Sequence, residues 1–211
     1  VANSQTTFTL DTHKLTVGAN FTREELNDRF DVANKTLPGS DPVTKISRNG
    51  WALFAEDGWS IGDFILTTSA RMDQDDNFGT HITPKMYGNW AFSNDWALKG
   101  GVSAGYKKPE LRATSSNFVT PYGSTVPYPF LTVGNDDLKP EQSVNSELGL
   151  YWTGDALSVD STVFYTQFKD KIAEQTICET TSTNQCSVNG YNADSVSKYF
   201  NVSEADVYGI E

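Results

Sequence analysis

The chain has 211 residues, 37% of them hydrophobic, 12% aromatic and 20% charged, with a formal net charge of −11. That composition excludes a disordered polypeptide, and the lack of any basic run or Lys/Arg stripe argues against a nucleic-acid partner. No stretch approaches the ~18 consecutive apolar residues of a transmembrane helix, but a membrane crossed by strands needs only every second residue apolar, and the mean hydropathy of −0.45 fits that as well as it fits water.

The first alternating segment is residues 14–21, with Leu15, Val17, Ala19 and Phe21 on one side and Thr16, Gly18 and Asn20 on the other. Residues 6–10 read as its partner across the tight link at 11–13. A long polar loop is expected over 22–48, with Gly39 between Pro38 and Pro42. A strand follows over 51–57 (Trp51, Leu53 and Ala55 on one face), then a short turn at 58–62. Residues 63–73 set Phe64, Leu66, Thr68, Ala70 and Met72 against Thr67, Ser69, Arg71 and Asp73. A polar connection covers 74–81, and the next strand runs over 82–92 with Ile82, Met86, Trp90 and Phe92 in register. Ser93–Asn94–Asp95 is a turn by composition, and 96–106 alternates again, with Trp96, Leu98, Val102, Ala104 and Tyr106 opposite Lys99, Gly101, Ser103 and Gly105.

The longest irregular stretch is 107–142, with Pro109, Pro121, Pro127, Pro129 and Pro140. Proline is kept out of central strands, and a loop of this length inside a compact domain normally carries function. Strands over 143–153 (Val144, Leu148, Leu150, Trp152) and 157–168 (Leu157, Val159, Val163, Tyr165) flank a tight turn at 153–156. A cysteine-bearing loop is expected over about 170–199, and residues 202–211 begin one more strand.

The expected fold is all-β and antiparallel, with eight or nine strands and no helix. Its connections alternate between tight turns and long polar loops, which is the pattern of an outer-membrane β-barrel. Alternation alone also suits a soluble sandwich. Trp51, Trp59, Trp90, Trp96, Trp152 and Tyr106 fall near strand ends, where the interfacial girdles of a membrane barrel belong.

Cys178 and Cys186 are eight apart in a polar stretch. A disulfide closing one loop in an oxidising compartment is the expected reading. Zinc is disfavoured because His13 and His81 are remote and there is no second pair. Both histidines read as structural, and the Asp75–Asp76 and Asp136–Asp137 pairs as solvated loop carboxylates. No nucleophile triad, phosphate loop or metal cluster is present in the pattern, so no catalytic function and no cofactor is expected.

One segment carries a specific resemblance. Gly134, Asn135, Asp137, Leu138, Lys139, Pro140 and Glu141, followed by Glu147, Gly149 and Tyr151, resemble the signature in which a loop of TonB-dependent outer-membrane receptors leads into a descending strand. Residues 52–59, 69–92, 96–111, 168–172 and 201–211 are similar to the corresponding family strands, so the match covers most of 50–211. Within the family, the chain looks most like ferric catecholate siderophore and colicin receptors of the enterobactin type. Haem and cobalamin receptors share the strands and differ in the loops.

The resemblance implies a 22-strand barrel in the Gram-negative outer membrane, plugged by an N-terminal domain that contacts TonB. It further implies a ferric siderophore as ligand, iron entering only as that ligand, and colicin or phage as further partners. A chain of 211 residues is too short for that architecture, and the first residue is Val1 rather than Met. Residues 1–211 are therefore expected to be an internal part of the barrel wall, with the plug absent and unpaired edges at its two sides. A non-transport barrel acting as an adhesin or as a phage or bacteriocin docking surface is the rival reading.

A ferric catecholate is an anion bearing aromatic rings and would favour Arg or Lys for charge and Tyr or Phe for stacking. Loop 107–142 offers Lys107, Lys108, Arg112, Phe118, Tyr122, Tyr128 and Phe130. For each residue alone the plainer role is loop packing or a solvated charge. Pro140 ends the loop by fixing φ. Arg71 and Glu147 are expected on the lumen face, ion-paired or touching a plug.

Overall fold

The computed structural model describes residues 1–28, 44–116, 118–122, 128–188 and 191–211. Nine long strands form an antiparallel wall: β1 (Ala2–Leu10), β2 (His13–Asp28), β3 (Thr44–Ile61), β4 (Phe64–Asp75), β5 (Gly79–Trp90), β6 (Trp96–Lys107), β9 (Glu141–Thr153), β10 (Ser158–Glu179) and β13 (Ser195–Ile210). Two short strands, β7 (Val119–Tyr122) and β8 (Phe130–Val133), extend the sheet at its far side, and β8 pairs in parallel with the upper part of β13. A separate two-stranded piece joins β11 (Cys186–Val188) to β12 (Tyr191–Ala193). Among the described residues the sheet is open, with β1 at one edge and β7 at the other.

The connections largely segregate by end, the three-residue link 76–78 between β4 and β5 being the exception at the long-loop end. The links between β1 and β2, β3 and β4, β5 and β6, and β9 and β10 are tight, whereas those between β6 and β9 and between β10 and β13 are long and carry their own strands. Left-handed backbone occurs at both ends: Gly62 (φ 59°) and Asp11 (φ 29°) in tight turns, and Gly79 (φ 71°) and Asp170 (φ 54°) toward the long-loop end. Glycine accepts that conformation freely, and aspartate tolerates it better than most residues.

Several strands outrun the expected boundaries. The link read at 58–62 contracts to two residues because β3 continues to Ile61. Residues 22–28 and 44–48, read as loop, are ladder, paired from Thr22↔Gly50 to Asp28↔Thr44. The middle of that loop, with Gly39, Pro38 and Pro42, lies outside the described residues. The cysteine loop shortens likewise, since β10 runs to Glu179 and β13 starts at Ser195. At 22–28 and 44–48 mostly charged and polar residues hold the ladder beyond the apolar band, where water rather than lipid is the solvent. The strand read over 82–92 instead stops at Trp90. Pro121 does sit in a strand, but in β7, the sheet edge, where a missing N–H costs nothing.

Register sorts the side chains. Leu53↔Met72, Met72↔Ile82, Met86↔Val102, Leu148↔Val163 and Trp96↔Trp152 are cross-strand pairs on one face. Leu53, Met86, Val102, Leu148 and Val163 are all exposed, so this face has no protein core behind it. The opposite face carries Glu56, Lys85, Arg71, Asn145 and Glu147. There Lys85 lies 3.5 Å from Glu56, and Thr166 donates to Asn145, which donates to Glu147. Apolar outside and polar inside is the inversion a membrane barrel requires. Trp59, Trp90, Trp96 and Trp152 sit at the tight-turn end of their strands, and Trp51 lies on the same face eight residues above Trp59, roughly 26 Å along the strand.

The buried core lies instead in the folded loops, where Val119, Leu131, Cys186, Ala193 and Val196 cluster with Val133, Cys178 and Val188 packed against them. The structure pairs Cys178 with Cys186, which ties β10 to β11 inside this cluster.

Candidate functional site

The long-loop end of the polar face opens into a cavity of about 720 Å³. Its walls come from β2, β3, β4, β5 and β6 and from the first residues of the loop after β6. Five cations line it: Arg48, Arg71, Lys107, Lys108 and Arg112. Glu24, Glu25, Asp73 and Glu110 lie among them.

The cations are held rather than bare. Arg48, 3% exposed, donates through Nη2 to Glu24 Oε2 at 2.5 Å and through Nη1 to the carbonyl of Pro109 at 3.0 Å. Its Nε is 3.6 Å from Asp75, itself 2% exposed, and its guanidinium stacks over Phe78. Lys108 donates to the same Asp75 carboxylate at 2.9 Å and lies 3.5 Å from Glu24. Two cations and two carboxylates thus balance within one knot, Arg48 and Asp75 buried and Glu24 and Lys108 partly exposed, which fixes the base of loop 107–142 to β2, β3 and β4. A buried charge is tolerated only when paired and hydrogen-bonded in this way. Arg71 is bound to Asp73 on its own strand at 2.9 Å, and Lys107 extends into solvent 3.3 Å from Glu141.

The seven residues expected to bind ligand therefore separate. Lys107, Lys108 and Arg112 reach the cavity. Arg112 also donates to Thr120 and lies over the ring of Phe118. Phe118 is 3% exposed and packs inside the loop. Tyr122, Tyr128 and Phe130 are exposed on the β7–β8 hairpin, with Tyr122 paired to Phe130, and none of the three lines the cavity. Basic and aromatic groups thus occupy two places, the mouth of the lumen and the hairpin above it.

Arg48, Glu24 and Asp75 were not expected there, because Arg48 and Glu24 lie in the stretch read as loop. The signal that could have found them is parity. Counted in twos from Gly18 on β2, Gly58 on β3 and Arg71 on β4, each falls on the polar row. Arg71 and Glu147 do take the polar face, Arg71 ion-paired to Asp73 and Glu147 accepting a hydrogen bond from Asn145. His13 bonds Asp57 at 2.8 Å and stacks on Trp59, while His81 bonds the carbonyl of Phe78 and stacks on Tyr106. Among the described residues no group of three His, Cys, Asp or Glu side chains is placed to hold a metal ion.

The segment 134–141 closes the loop. Asn135 Nδ2 donates to the carbonyl of Tyr199, and Asn201 bonds both the N–H and the carbonyl of Lys139. The Glu141 carboxylate takes the N–H of Ile172. This motif pins the end of the loop to β10 and β13 and works as a structural clasp.

Residues 1–211 match the family described as TonB dependent receptor-like, beta-barrel. An iron-regulated outer membrane virulence protein of Vibrio cholerae serotype O1 is 37% identical over 94% of this chain, which spans 29% of that protein. A ferric enterobactin receptor of Pseudomonas aeruginosa is 31% identical over 75% of the chain and 23% of its own length. Among solved structures, the siderophore receptor PirA of P. aeruginosa superposes with a TM-score of 0.81 at 25% identity, over 99% of this chain and 38% of that one. The ferric enterobactin receptor PfeA, in complex with BCV-L6, superposes with a TM-score of 0.75 at 26% identity, over 99% of this chain and 32% of that one. The chain spans less than a third of the curated relatives it matches, and these relatives are named as receptors or an outer-membrane protein, none as an enzyme. The chain belongs to the TonB-dependent receptor family, as part of its outer-membrane β-barrel.

Proposed function

We propose that the protein to which this wall belongs takes up a ferric siderophore of the catecholate class. The observation that carries the reading is the likeness of this stretch to receptors named for ferric enterobactin, on both sequence and backbone. The mouth cavity supports it chemically. An anionic iron complex entering from the long-loop end meets Arg112 and Lys107 at the rim, with Arg48 and Lys108 deeper, and Tyr122, Tyr128 and Phe130 stand exposed on the hairpin above. The overall charge of −11 opposes anion capture at long range, so capture depends on these local cations. Passage through the barrel would draw energy from TonB through a plug domain, which requires no nucleotide site in the wall.

The test is growth of iron-starved cells lacking the full-length gene, fed in turn with ferric enterobactin, a hydroxamate siderophore, haem and cobalamin. Selective loss of growth on ferric enterobactin is expected. Normal growth on ferric enterobactin, or selective loss on the hydroxamate, haem or cobalamin, sinks this assignment.

A further inference from the structure

The mouth holds a carboxylate that competes with any incoming anion for its deeper cations. Glu24 on β2 stands directly across the ladder from Arg48 on β3. One of its oxygens takes Arg48 Nη2 at 2.5 Å and Nε at 3.1 Å, and the other lies 3.5 Å from Lys108 Nζ. Each oxygen thus sits on one cation, where the acidic group of a ligand would have to sit to reach the same pair.

The two carboxylates of the knot are held differently. Asp75 is 2% exposed, and besides Lys108 it accepts the N–H of Asn77 from the adjoining turn. Glu24 is 35% exposed and lines the cavity, and its side-chain partners among the described residues are the two cations. Its backbone is fixed by the ladder with β3, but its side chain can turn about its own torsions into a cavity of about 720 Å³ with no strand moving.

The cations do not need Glu24 to stay in place. Arg48 keeps the carbonyl of Pro109 and the ring of Phe78, and Lys108 keeps Asp75 at 2.9 Å. With Glu24 seated, the knot is neutral. With Glu24 turned away, one positive charge is left uncompensated beside the cavity, its donors already oriented.

We propose that Glu24 is a placeholder anion: it occupies the Arg48–Lys108 cleft while the mouth is empty and yields it to the acidic edge of the iron complex, a role that rests on the ferric-siderophore reading for the ligand's negative charge. A tethered carboxylate competes at high effective concentration, so a simple anion gains too little to displace it. A polyanionic complex that also engages Lys107 and Arg112 at the rim has further contacts to offset the displacement. Glu24 therefore weakens binding overall and makes it selective.

The test uses the full-length receptor in detergent at low ionic strength. Binding of ferric enterobactin is followed by tryptophan quenching with and without sulfate, and binding of sulfate alone by calorimetry. Glu24→Gln still offers an oxygen to Arg48. It is expected to bind ferric enterobactin about tenfold more tightly, the scale of one charged hydrogen bond, and to take up sulfate, which then competes. The wild type is expected to take up no sulfate. Glu25→Gln and Glu110→Gln make the same charge change on the same cavity wall, away from the cleft, and are expected to shift affinity by less than about twofold. Unchanged or weaker binding by Glu24→Gln overturns the proposal, as does an equal gain from Glu110→Gln, which would reduce the effect to net charge. If neither wild type nor Glu24→Gln binds ferric enterobactin, the catecholate assignment falls and sulfate alone decides the role of Glu24: uptake by the variant only sustains it, and equal uptake by both overturns it.

Discussion

The wall and the cap above it are built by opposite rules. In the wall, large apolar residues such as Leu53, Met86 and Leu148 are about half exposed and the polar groups face inward. In the cap, Val119, Leu131, Ala193 and Val196 are 3% exposed or less, around Cys186. Lipid takes the place of a core for the wall, whose order comes from continuous ladders. The cap meets water and needs its own small core, a disulfide and the clasp at 134–141. One chain thus satisfies two solvents by switching the sense of its burial where the strands leave the membrane.

The junction of the two regions is the point of largest expected effect. Asp75 bonds the partly exposed Lys108 and lies beside Arg48, which is buried with it. Removing one member of a buried ionic group costs about 3–5 kcal/mol because the remaining charges stay desolvated. Asp75→Ala falls at the low end, near ~3 kcal/mol, since Glu24 stays 2.5 Å from Arg48 and 3.5 Å from Lys108. Amide exchange over 108–116 is expected to rise while that of β9 and β10 holds. Unchanged exchange over 108–116 would mean the knot does not anchor the loop.

A matched pair of substitutions separates the two solvents. Leu148→Arg, midway between Trp152 and Val144 on the outer face, should cost about 2–4 kcal/mol on insertion into lipid vesicles. Leu131→Ala empties part of the cap core and should cost about 2–5 kcal/mol locally. The first is read as a loss of folding yield in bilayers, the second as faster exchange in β8 at normal yield. Normal folding yield of Leu148→Arg in bilayers, or a loss of yield from Leu131→Ala equal to that of Leu148→Arg, would remove the distinction.

Much of the wall was legible because period-two alternation fixes which face a residue takes; Phe64 to Met72 and their polar partners fall as read. Tight turns and tryptophans at strand ends were equally local signals. The upper strands were not legible, since residues 22–28 and 44–48 lose apolar alternation where they leave lipid, and Arg48 was hidden with them. The parallel pairing of β8 with β13 joins residues far apart in sequence, and no local pattern encodes it. Of the seven loop residues, Lys107, Lys108 and Arg112 follow β6 directly and line the mouth, a placement that chain order makes legible, whereas Phe118 is buried in the loop and Tyr122, Tyr128 and Phe130 ride on a hairpin whose docking is a tertiary event that no local pattern encodes.

The smallest expected effect sharpens the same comparison on the cap side. Asp136 accepts the Ser116 hydroxyl at 2.5 Å and the Ser116 N–H at 2.9 Å, joining the two ends of loop 107–142. These two bonds, the hydroxyl first, hold its carboxyl below the ordinary 3.8. A carboxylate with a depressed pKa contributes stability that is complete above the unfolded value and is lost as pH falls through the folded one. The link is therefore intact from neutrality down to about pH 4 and fails only in stronger acid, and because Asp136 is exposed, solvent holds its worth below about 1 kcal/mol. The Ser116 amide resonance should titrate with a midpoint below 3.8, and Asp136→Asn should abolish that titration without altering β9 or β10. A midpoint at or above the ordinary aspartate value would show that the two ends of the loop are held by the clasp at 134–141 and the cap core alone.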